Sequence, residues 1–193
     1  PHGGPTARDY WGWNADVQFL ANRGYAVFQP NFRGSTGYGN KLLTAGYREW
    51  GGAMQNDITD GVKHLIAEGI VDAKRIGIYG ASYGGYATMA GLCFTPELYR
   101  CGVNYVGVTD IDLILKEYPL PKKINDAIDA VMIADRSNDK DWIKSRSIQN
   151  NIGKVRAPVL MAYGMKDWRV PPKHGRILKR ALDRNNIPNK LII

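Results

Sequence analysis

The chain has 193 residues, of which 44% are hydrophobic, and this length suits one domain with a substantial buried core. Its 26 basic and 18 acidic residues give a net charge of +8, but the basic residues are scattered without an aromatic-interleaved basic helix, so no nucleic-acid partner is expected. No apolar run approaches the ~20 residues that a membrane span needs, and the sequence leaves the cellular compartment open.

Strand-like and helix-like segments alternate along the chain. Apolar residues at helical spacing predict helices over residues 14–22, 55–68, from 85 onward and 171–184, with an irregular helical stretch from 109 to 151. Runs rich in β-branched and aromatic residues predict strands at residues 25–28, 75–79, 102–108, 158–163 and 190–193. This order predicts an α/β fold with a mainly parallel sheet and helices on both faces.

The most informative motif occupies residues 80–84, Gly-Ala-Ser-Tyr-Gly, directly after the strand predicted at 75–79. The pattern G-x-S-x-G is typical of a nucleophile elbow, in which a serine sits on a tight turn between a strand and a helix. Gly80 and Gly84 leave room for that turn because they lack side chains. Ser82 is therefore the candidate nucleophile, and the backbone N–H of Tyr83 is the first candidate donor to an oxyanion.

A serine hydrolase also needs an acid that orients its base, placed beyond a strand that follows the elbow. Asp167 fits this position, because it lies in the segment 164–171 immediately after the strand predicted at 158–163. A turn residue or a helix N-cap is the structural alternative for Asp167. The elbow and the strand order together favour the catalytic role.

The second oxyanion donor should come from a loop near the start of the chain, where residues 2–5 read His-Gly-Gly-Pro. Gly4 is the preferred amide donor of this loop. His2 could assist through its ring, with a purely structural role as an equal alternative. Arg33, in a second glycine-rich segment, is hypothesised to anchor the loop that carries the donor. Asp57 and Asp60 are interpreted as a helix charge pair or a buried polar anchor, with a role in the chemistry as the alternative.

The base is the part of this machinery that the sequence does not supply clearly. The histidines of the chain are His2, His64 and His174. His64 falls in the middle of a predicted helix, and His174 falls in the first turn of a helix only a short step past Asp167. Geometry comes before pKa in such an assignment, so His174 is a weak candidate for the base.

The two cysteines, Cys93 and Cys101, form neither a disulfide framework nor a metal-binding cluster. A bridge between them is conceivable, and two unpaired side chains are the alternative. No metal ligand spacing occurs, and no G-x-G-x-x-G motif follows a strand, so neither a metal nor a cofactor is expected.

Five motifs in fixed order resemble the catalytic domain of the prolyl oligopeptidase family of serine peptidases. They are residues 2–5, residues 31–39 (Asn-Phe-Arg-Gly-Ser-Thr-Gly-Tyr-Gly), residues 61–76, residues 80–86 and residues 164–171. The resemblance implies an α/β-hydrolase domain that normally follows an N-terminal β-propeller and cleaves short peptides with a Ser, Asp, His triad. Residues 1–193 are then expected to be a part of that domain, incomplete at both ends.

The resemblance also implies roles for single residues: Ser82 is the nucleophile, Asp167 the acid, and the Tyr83 amide an oxyanion donor. His2 occupies the position of a tyrosine whose hydroxyl holds the oxyanion in the dipeptidyl peptidases. Since that hydroxyl is absent here, Gly4 is expected to supply the donor.

In the same family, the base comes from a loop beyond the next strand, which here would lie after Ile193. Arg169 matches an arginine that binds a substrate carbonyl, and Val170 matches a wall of the primary specificity pocket. The segment 108–114 is aliphatic and acidic, whereas dipeptidyl peptidases place aromatic residues there. Val108 and Ile111 are candidate pocket residues, with core packing as the alternative, and the pocket is expected to tolerate more than proline.

Three functional classes follow from these observations. The leading one is a serine peptidase acting on oligopeptides, with its own β-propeller domain as partner in a longer protein. A carboxylesterase or related acyl hydrolase with the same machinery is the second, and a scaffold without catalysis is the third. Without a base, the 193-residue polypeptide itself is predicted to hydrolyse substrates feebly or not at all.

Overall fold

A parallel sheet forms the centre of the fold in the computed structural model, which describes residues 1–117 and 122–193. Its four strands lie side by side in chain order: β1 (Gly77–Ala81), β2 (Cys101–Tyr105), β3 (Val159–Ala162) and β4 (Asn189–Ile192). Every neighbouring pair of strands is parallel, so each connection must return from the carboxyl end of one strand to the amino end of the next. Helices form these crossover connections. The predicted α/β fold with a mainly parallel sheet is confirmed.

Eight α-helices occur in the described residues. They are α1 (Ala15–Ala21), α2 (Asn40–Thr44), α3 (Ala53–Ala67), α4 (Tyr83–Phe94), α5 (Ile111–Glu117), α6 (Lys122–Met132), α7 (Lys140–Arg146) and α8 (Lys173–Arg184). Two 3₁₀ turns, Ile148–Asn150 and Ile152–Lys154, precede β3.

The predicted helices agree with this arrangement to within one turn. Those confirmed cover residues 14–22, 55–68 and 171–184, and the helix after the elbow begins at Tyr83. The irregular helical stretch at 109–151 contains α5, α6 and α7, and its residues 118–121 lie outside the described part of the chain. Helix α2 was not predicted, because five residues are too few to show a helical period.

The strand predicted at residues 25–28 is wrong. These residues have no strand assignment, and Tyr25 donates its backbone N–H to the Leu20 carbonyl at the end of α1 instead of to a neighbouring strand. Tyr25 and Phe28 are 62% and 41% exposed. Aromatic and β-branched residues favour a strand only where a neighbour completes the hydrogen-bond ladder, and none of the described residues does so here.

Helix α4 is buried along nearly its whole length, from Tyr83 to Cys93. A helix that is apolar on every side belongs at the centre of a core, and α4 packs against both β1 and β2. A Cβ atom at Gly85 would lie only 2.5 Å from the Gly107 Cα. The missing side chain at Gly85 therefore lets α4 lie directly on the loop that follows β2.

The two faces of the sheet are buried to different extents, since successive strand residues point to opposite sides. Ile78 and Met161 face the core, whereas Tyr79 and Leu160 on the other face are 44% and 39% exposed. Burial raises the pKa of Tyr79, and Asp16 of α1 raises it further. One face of the sheet therefore packs in the core, and the other is partly exposed in the described structure.

Both cysteines are free thiols in the described structure, which answers the question that the sequence left open. Cys93 is buried near the end of α4, where burial raises its pKa to about 12, and Cys101 is exposed at the start of β2. Among the described residues, no helix combines the length and the apolar character that crossing a bilayer requires.

Candidate active site

The predicted elbow geometry is present at Ser82. The residue stands between β1 and α4 with φ 57° and ψ −119°, a conformation that costs a side-chain-bearing residue about 1 to 3 kcal/mol. A Cβ at Gly80 would collide with the Gly84 carbonyl, and a Cβ at Gly84 would collide with the Pro1 carbonyl. Gly80 is therefore required by the turn and Gly84 by the close approach of the N-terminal segment, and Ser82 is half-buried at the tip of the turn.

A short loop after β2 contacts the backbone of the elbow. We call this loop, residues 106–109, the support loop. The Ser82 N–H donates to the Tyr105 carbonyl over 3.0 Å, and the Val108 N–H approaches the Ser82 carbonyl over a longer 3.4 Å. Asn104 is fully buried and accepts the Gly107 N–H through Oδ1 over 2.9 Å. The backbone of the nucleophile is thus held on both its N–H and its C=O side.

The first oxyanion donor predicted, the Tyr83 N–H, lies at the first residue of α4. The opening N–H groups of a helix have no partner within the helix and are oriented to meet negative charge. The Tyr83 side chain is fully buried, with its hydroxyl 3.6 Å from the Met54 sulfur. Its ring anchors the start of α4 in the core. Only the backbone N–H of Tyr83 is therefore available as an oxyanion donor.

The N-terminal glycine loop lies against the elbow, and Gly3 is close to Ser82. A Cβ at Gly3 would lie 3.0 Å from the Ala81 carbonyl oxygen and 3.4 Å from the Ser82 Cβ. Gly4, the predicted donor, has φ +116° and borders Thr6 and Ala7. Sequence reasoning missed the contact of Gly3 with Ser82, since two adjacent glycines give no signal that separates their roles.

His2 is fixed by its surroundings through both ring nitrogens. Nδ1 lies 2.7 Å from the Gly3 carbonyl oxygen and Nε2 lies 2.9 Å from the Ser35 hydroxyl, so Nδ1 donates and Nε2 accepts. The ring stacks on Phe32 with centroids 4.4 Å apart. Burial lowers the pKa of His2, which keeps the ring neutral. The structure thus places His2 as a support of the glycine loop.

Arg33 anchors the segment that carries Phe32 and Ser35, in line with its hypothesised role. Its backbone N–H, Nε and Nη2 all donate to the Asp57 carboxylate of α3, over 2.9, 2.8 and 2.6 Å. Burial raises the pKa of Asp57, but the bonds from Arg33 outweigh it and leave that pKa below its ordinary value. Asp57 is therefore the structural carboxylate that the sequence suggested.

Asp167 lies on the loop between β3 and α8, which we call the acid loop (residues 163–172). Its Oδ1 accepts the backbone N–H groups of Arg169 and Val170 over 2.9 and 3.0 Å. This turn orients the carboxyl group and uses one of its two oxygens. Asp167 is half-buried.

The sheet register brings Ser82 and Asp167 to the same edge. Ala81 pairs with Tyr105, and Tyr105 pairs with Ala162, so the carboxyl ends of β1 and β3 lie level. Two strand spacings separate them by roughly 10 Å. Ser82 directly follows the first strand end, and Asp167 lies on the loop after the other, where parallel sheets present their catalytic groups.

None of the three histidines is hydrogen-bonded to Ser82 or Asp167 in the described residues. Both ring nitrogens of His2 are hydrogen-bonded to Gly3 and Ser35, and His64 is exposed on α3. His174 is fully buried in α8, and its Nδ1 accepts the Thr109 N–H over 3.2 Å. Burial lowers the pKa of His174 to about 4.

The residues predicted to contact substrate differ in how far they are exposed to solvent. Arg169 is exposed, with its guanidinium 5.1 Å from the Trp168 ring centroid, and the neighbouring Val170 is buried. Val108 lies in the support loop beneath the elbow. Ile111 has no exposed surface and donates its N–H to the Ser147 hydroxyl, so it packs in the core in this structure. The described residues contain no group of three or more potential metal ligands.

Comparison with known proteins relates this arrangement to one family. A sequence model described as the prolyl oligopeptidase family matches residues 11–193. Dipeptidyl aminopeptidase BIII of Pseudoxanthomonas mexicana is 38% identical over 97% of this chain, and the mouse (Mus musculus) acylamino-acid-releasing enzyme is 30% identical over 100% of this chain. In each case the chain spans 27% of the relative.

A solved structure agrees with these sequence relatives. The puromycin-hydrolyzing peptidase of Mycobacterium tuberculosis superimposes with a TM-score of 0.93 and 26% identity, over 99% of this chain and 28% of the other. The chain therefore spans about a quarter of the length of the proteins that it resembles.

Proposed function

The chain belongs to the prolyl oligopeptidase family, and on that premise we propose that it carries the nucleophile and the acid of a serine peptidase that cleaves short peptides through an acyl-enzyme on Ser82. The strained backbone of Ser82 at the carboxyl edge of a parallel sheet is the observation that carries the proposal. Such strain persists where the surrounding structure fixes it, and it clusters at active sites.

The proposed chemistry follows from the arrangement of these groups. A base takes the proton of the Ser82 hydroxyl as Oγ attacks the scissile carbonyl carbon. The Tyr83 N–H and an N–H of the glycine loop at Gly3 or Gly4 meet the negative charge that develops on the carbonyl oxygen. The C–N bond then breaks, the amine leaves with the proton from the base, and water repeats the sequence to release the acid. Asp167 orients the base and stabilises its charged form.

We assign the base to a histidine outside residues 1–193. The support comes from the positions of the three histidines in the chain: one is fixed in the glycine loop, one is exposed on α3, and one is sealed in the core. The relatives, which are nearly four times as long as the matched region, have room for such a segment and for the β-propeller that we propose as the partner domain.

The substrate class follows from the relatives only in outline, since their printed names include a dipeptidyl aminopeptidase and an acylamino-acid-releasing enzyme. We propose an oligopeptide substrate whose cleaved residue enters an apolar pocket bordered by Val170, with Arg169 binding a carbonyl nearby. Val170, Val108 and Ile111 are all buried, so each would line that pocket only after a rearrangement.

A substrate panel tests the proposal in the longer protein that we propose carries this chain. We expect aminoacyl, dipeptidyl or acylaminoacyl p-nitroanilides to be hydrolysed, and the Ser82→Ala variant to lose about 10⁶-fold in kcat, as loss of the triad serine does in subtilisin. Ser145→Ala is the matched control, because Ser145 is exposed on α7. Turnover of p-nitrophenyl esters alone would indicate a carboxylesterase, and no turnover of either class would indicate a scaffold.

A further inference from the structure

The contact between Thr109 and His174 joins two parts of the candidate site. Thr109 ends the support loop beneath Ser82, and His174 lies in the first turn of α8, directly after the acid loop. The Thr109 N–H donates to His174 Nδ1 over 3.2 Å, and the Thr109 hydroxyl donates to the His174 carbonyl over 3.1 Å. Both hydrogen-bond donors of Thr109 are thus directed at one residue, while its carbonyl accepts the Gln149 N–H.

The geometry of this contact fixes the protonation state of the imidazole. The Thr109 hydroxyl also lies 3.3 Å from Nδ1, but it donates to the His174 carbonyl, and the Thr109 N–H needs Nδ1 as its acceptor. The tautomer that satisfies both Thr109 donors has its proton on Nε2. Nε2 is buried and has no hydrogen-bond partner among the described residues. A ring nitrogen kept without a partner in the core costs free energy, so packing alone gives no reason for histidine at this position.

Each end of the contact leads to a candidate catalytic group by a short path. On one side, the residue before Thr109 is Val108, whose N–H faces the Ser82 carbonyl. On the other side, the His174 N–H donates to the Pro171 carbonyl over 3.0 Å, and the preceding Val170 N–H is held by the Asp167 carboxylate. The imidazole therefore lies between the backbone that holds the nucleophile and the backbone that holds the acid.

We propose that His174 is a positioning residue that fixes the acid loop relative to the nucleophile elbow by accepting the Thr109 N–H as a neutral Nε2–H tautomer. The inference rests on the proposed function, because it assigns roles to Ser82 and Asp167. It gives His174 a task other than that of the base, for which the sequence made it a weak candidate.

The charged groups around the ring leave this tautomer in place. Glu117 of α5 raises the pKa of His174 and Lys173 of α8 lowers it, and the two side chains pair with each other over 2.7 Å. Their effects on the ring therefore oppose each other, and burial is the largest cause of the low pKa. Protonation of Nδ1 would place two N–H donors face to face and remove the acceptor from Thr109.

The hydrogen bond is tested first in the 193-residue chain by long-range ¹H–¹⁵N NMR of ¹⁵N-histidine-labelled protein at pH 7. We expect one of the three histidines, missing from the His174→Gln spectrum, to be neutral with its proton on Nε2. A His174 ring protonated on Nδ1, or one that titrates near 6.5 like a free histidine, would overturn the proposal.

The positioning role is tested by kinetics in the longer protein. His174→Leu fills the space without an acceptor, and we expect kcat to fall about 10- to 100-fold with KM little changed, because small displacements between reacting groups have effects of this size. His174→Gln keeps a side-chain acceptor for Thr109, and we expect it to recover most of the rate. His64→Leu, on the exposed face of α3, is the matched control and should leave kcat unchanged.

The outcomes separate this inference from the proposed function. Equal losses in His174→Leu and His174→Gln, or no loss in either, would refute the positioning role while Ser82-dependent hydrolysis stands. A protein that shows no Ser82-dependent hydrolysis would refute the proposed function and the positioning role together. The NMR result would still report whether the hydrogen bond exists.

Discussion

The glycines around Ser82 stand at positions where the structure has no room for a side chain. Gly80, Gly84 and Gly85 each lie where a Cβ atom would meet backbone within 3 Å. The neighbouring backbone cannot move aside without displacing the elbow. Only glycine therefore fits at these three positions. The glycines of the G-x-S-x-G motif are explained in this way by steric exclusion.

Gly85→Ala tests this directly. Alanine favours a helix interior by about 1 kcal/mol over glycine, but here its methyl group would lie 2.5 Å from the Gly107 Cα. We expect the clash to outweigh the helix preference and to lower the free energy of unfolding by about 1 to 3 kcal/mol in urea denaturation. Gly153→Ala is the control, since its methyl group would come no closer than 3.4 Å to another residue. Equal stability of the two variants would contradict the close contact.

His174 gives the folded chain a specific dependence on pH. Its pKa is about 4 in the folded state and 6.5 in the unfolded state, so the unfolded state binds more protons between these values. The contribution of the neutral ring is complete above pH 6.5 and is lost as the pH falls to about 4.

We therefore expect the wild-type chain to lose about 3 kcal/mol relative to His174→Gln over that interval. The measurement is chemical denaturation of both proteins at pH 7, 5.5 and 4.5, and the difference between the two curves removes the effect of the other titrating groups. Parallel curves would show that the ring titrates alike in both states.

The segment 31–36 acts as a brace between α3 and the glycine loop. The Arg33–Asp57 pair fixes it to α3, and Phe32 and Ser35 hold the His2 ring. Because the pair is partly exposed, with side chains 35% and 27% accessible, solvent screening limits its strength.

Asp57→Asn removes the charge and keeps the shape of the side chain. We expect it to lower the free energy of unfolding by about 1 to 2 kcal/mol, because three charge-assisted bonds from Arg33 are weakened. Asp183→Asn, which weakens exposed contacts with Lys179 and Asn189, should lower the free energy of unfolding by clearly less than Asp57→Asn does. A similar response of the two variants in urea denaturation would indicate that the brace is not anchored at Asp57.

The elements show what local sequence can and cannot predict. Four parallel strands and the elbow were predictable because hydrophobic runs, glycines and the G-x-S-x-G spacing are local signals. Residues 25–28 carry the same kind of signal, yet form no strand, because strand formation depends on a partner that composition does not reveal.

The candidate site, like the secondary structure, was predictable from the sequence only where local signals mark its residues. Ser82 and Asp167 were proposed as candidates from their place after strands, and the register puts both at one edge of the sheet. The support given by Thr109, Asn104 and Gly3 comes from contacts between residues distant in the chain, and no spacing rule marks such contacts.

At the scale of the whole molecule, the candidate nucleophile and the candidate acid lie at one edge of the sheet, about two strand spacings apart. The chain spans about a quarter of the length of the relatives that it matches. On the proposed function, with a base outside residues 1–193, we expect Ser82 in the 193-residue chain to have little reactivity, although oxyanion donors alone still accelerate such reactions.

Labelling by a fluorophosphonate, mapped by mass spectrometry of the digested protein, tests the central claim most directly. In the longer protein, we predict rapid, stoichiometric modification of Ser82 that disappears in Ser82→Ala, and in the 193-residue chain, slow labelling or none. Rapid modification of a different residue in the longer protein would contradict the account, and so would an unmodified Ser82 in a protein that hydrolyses peptide amides.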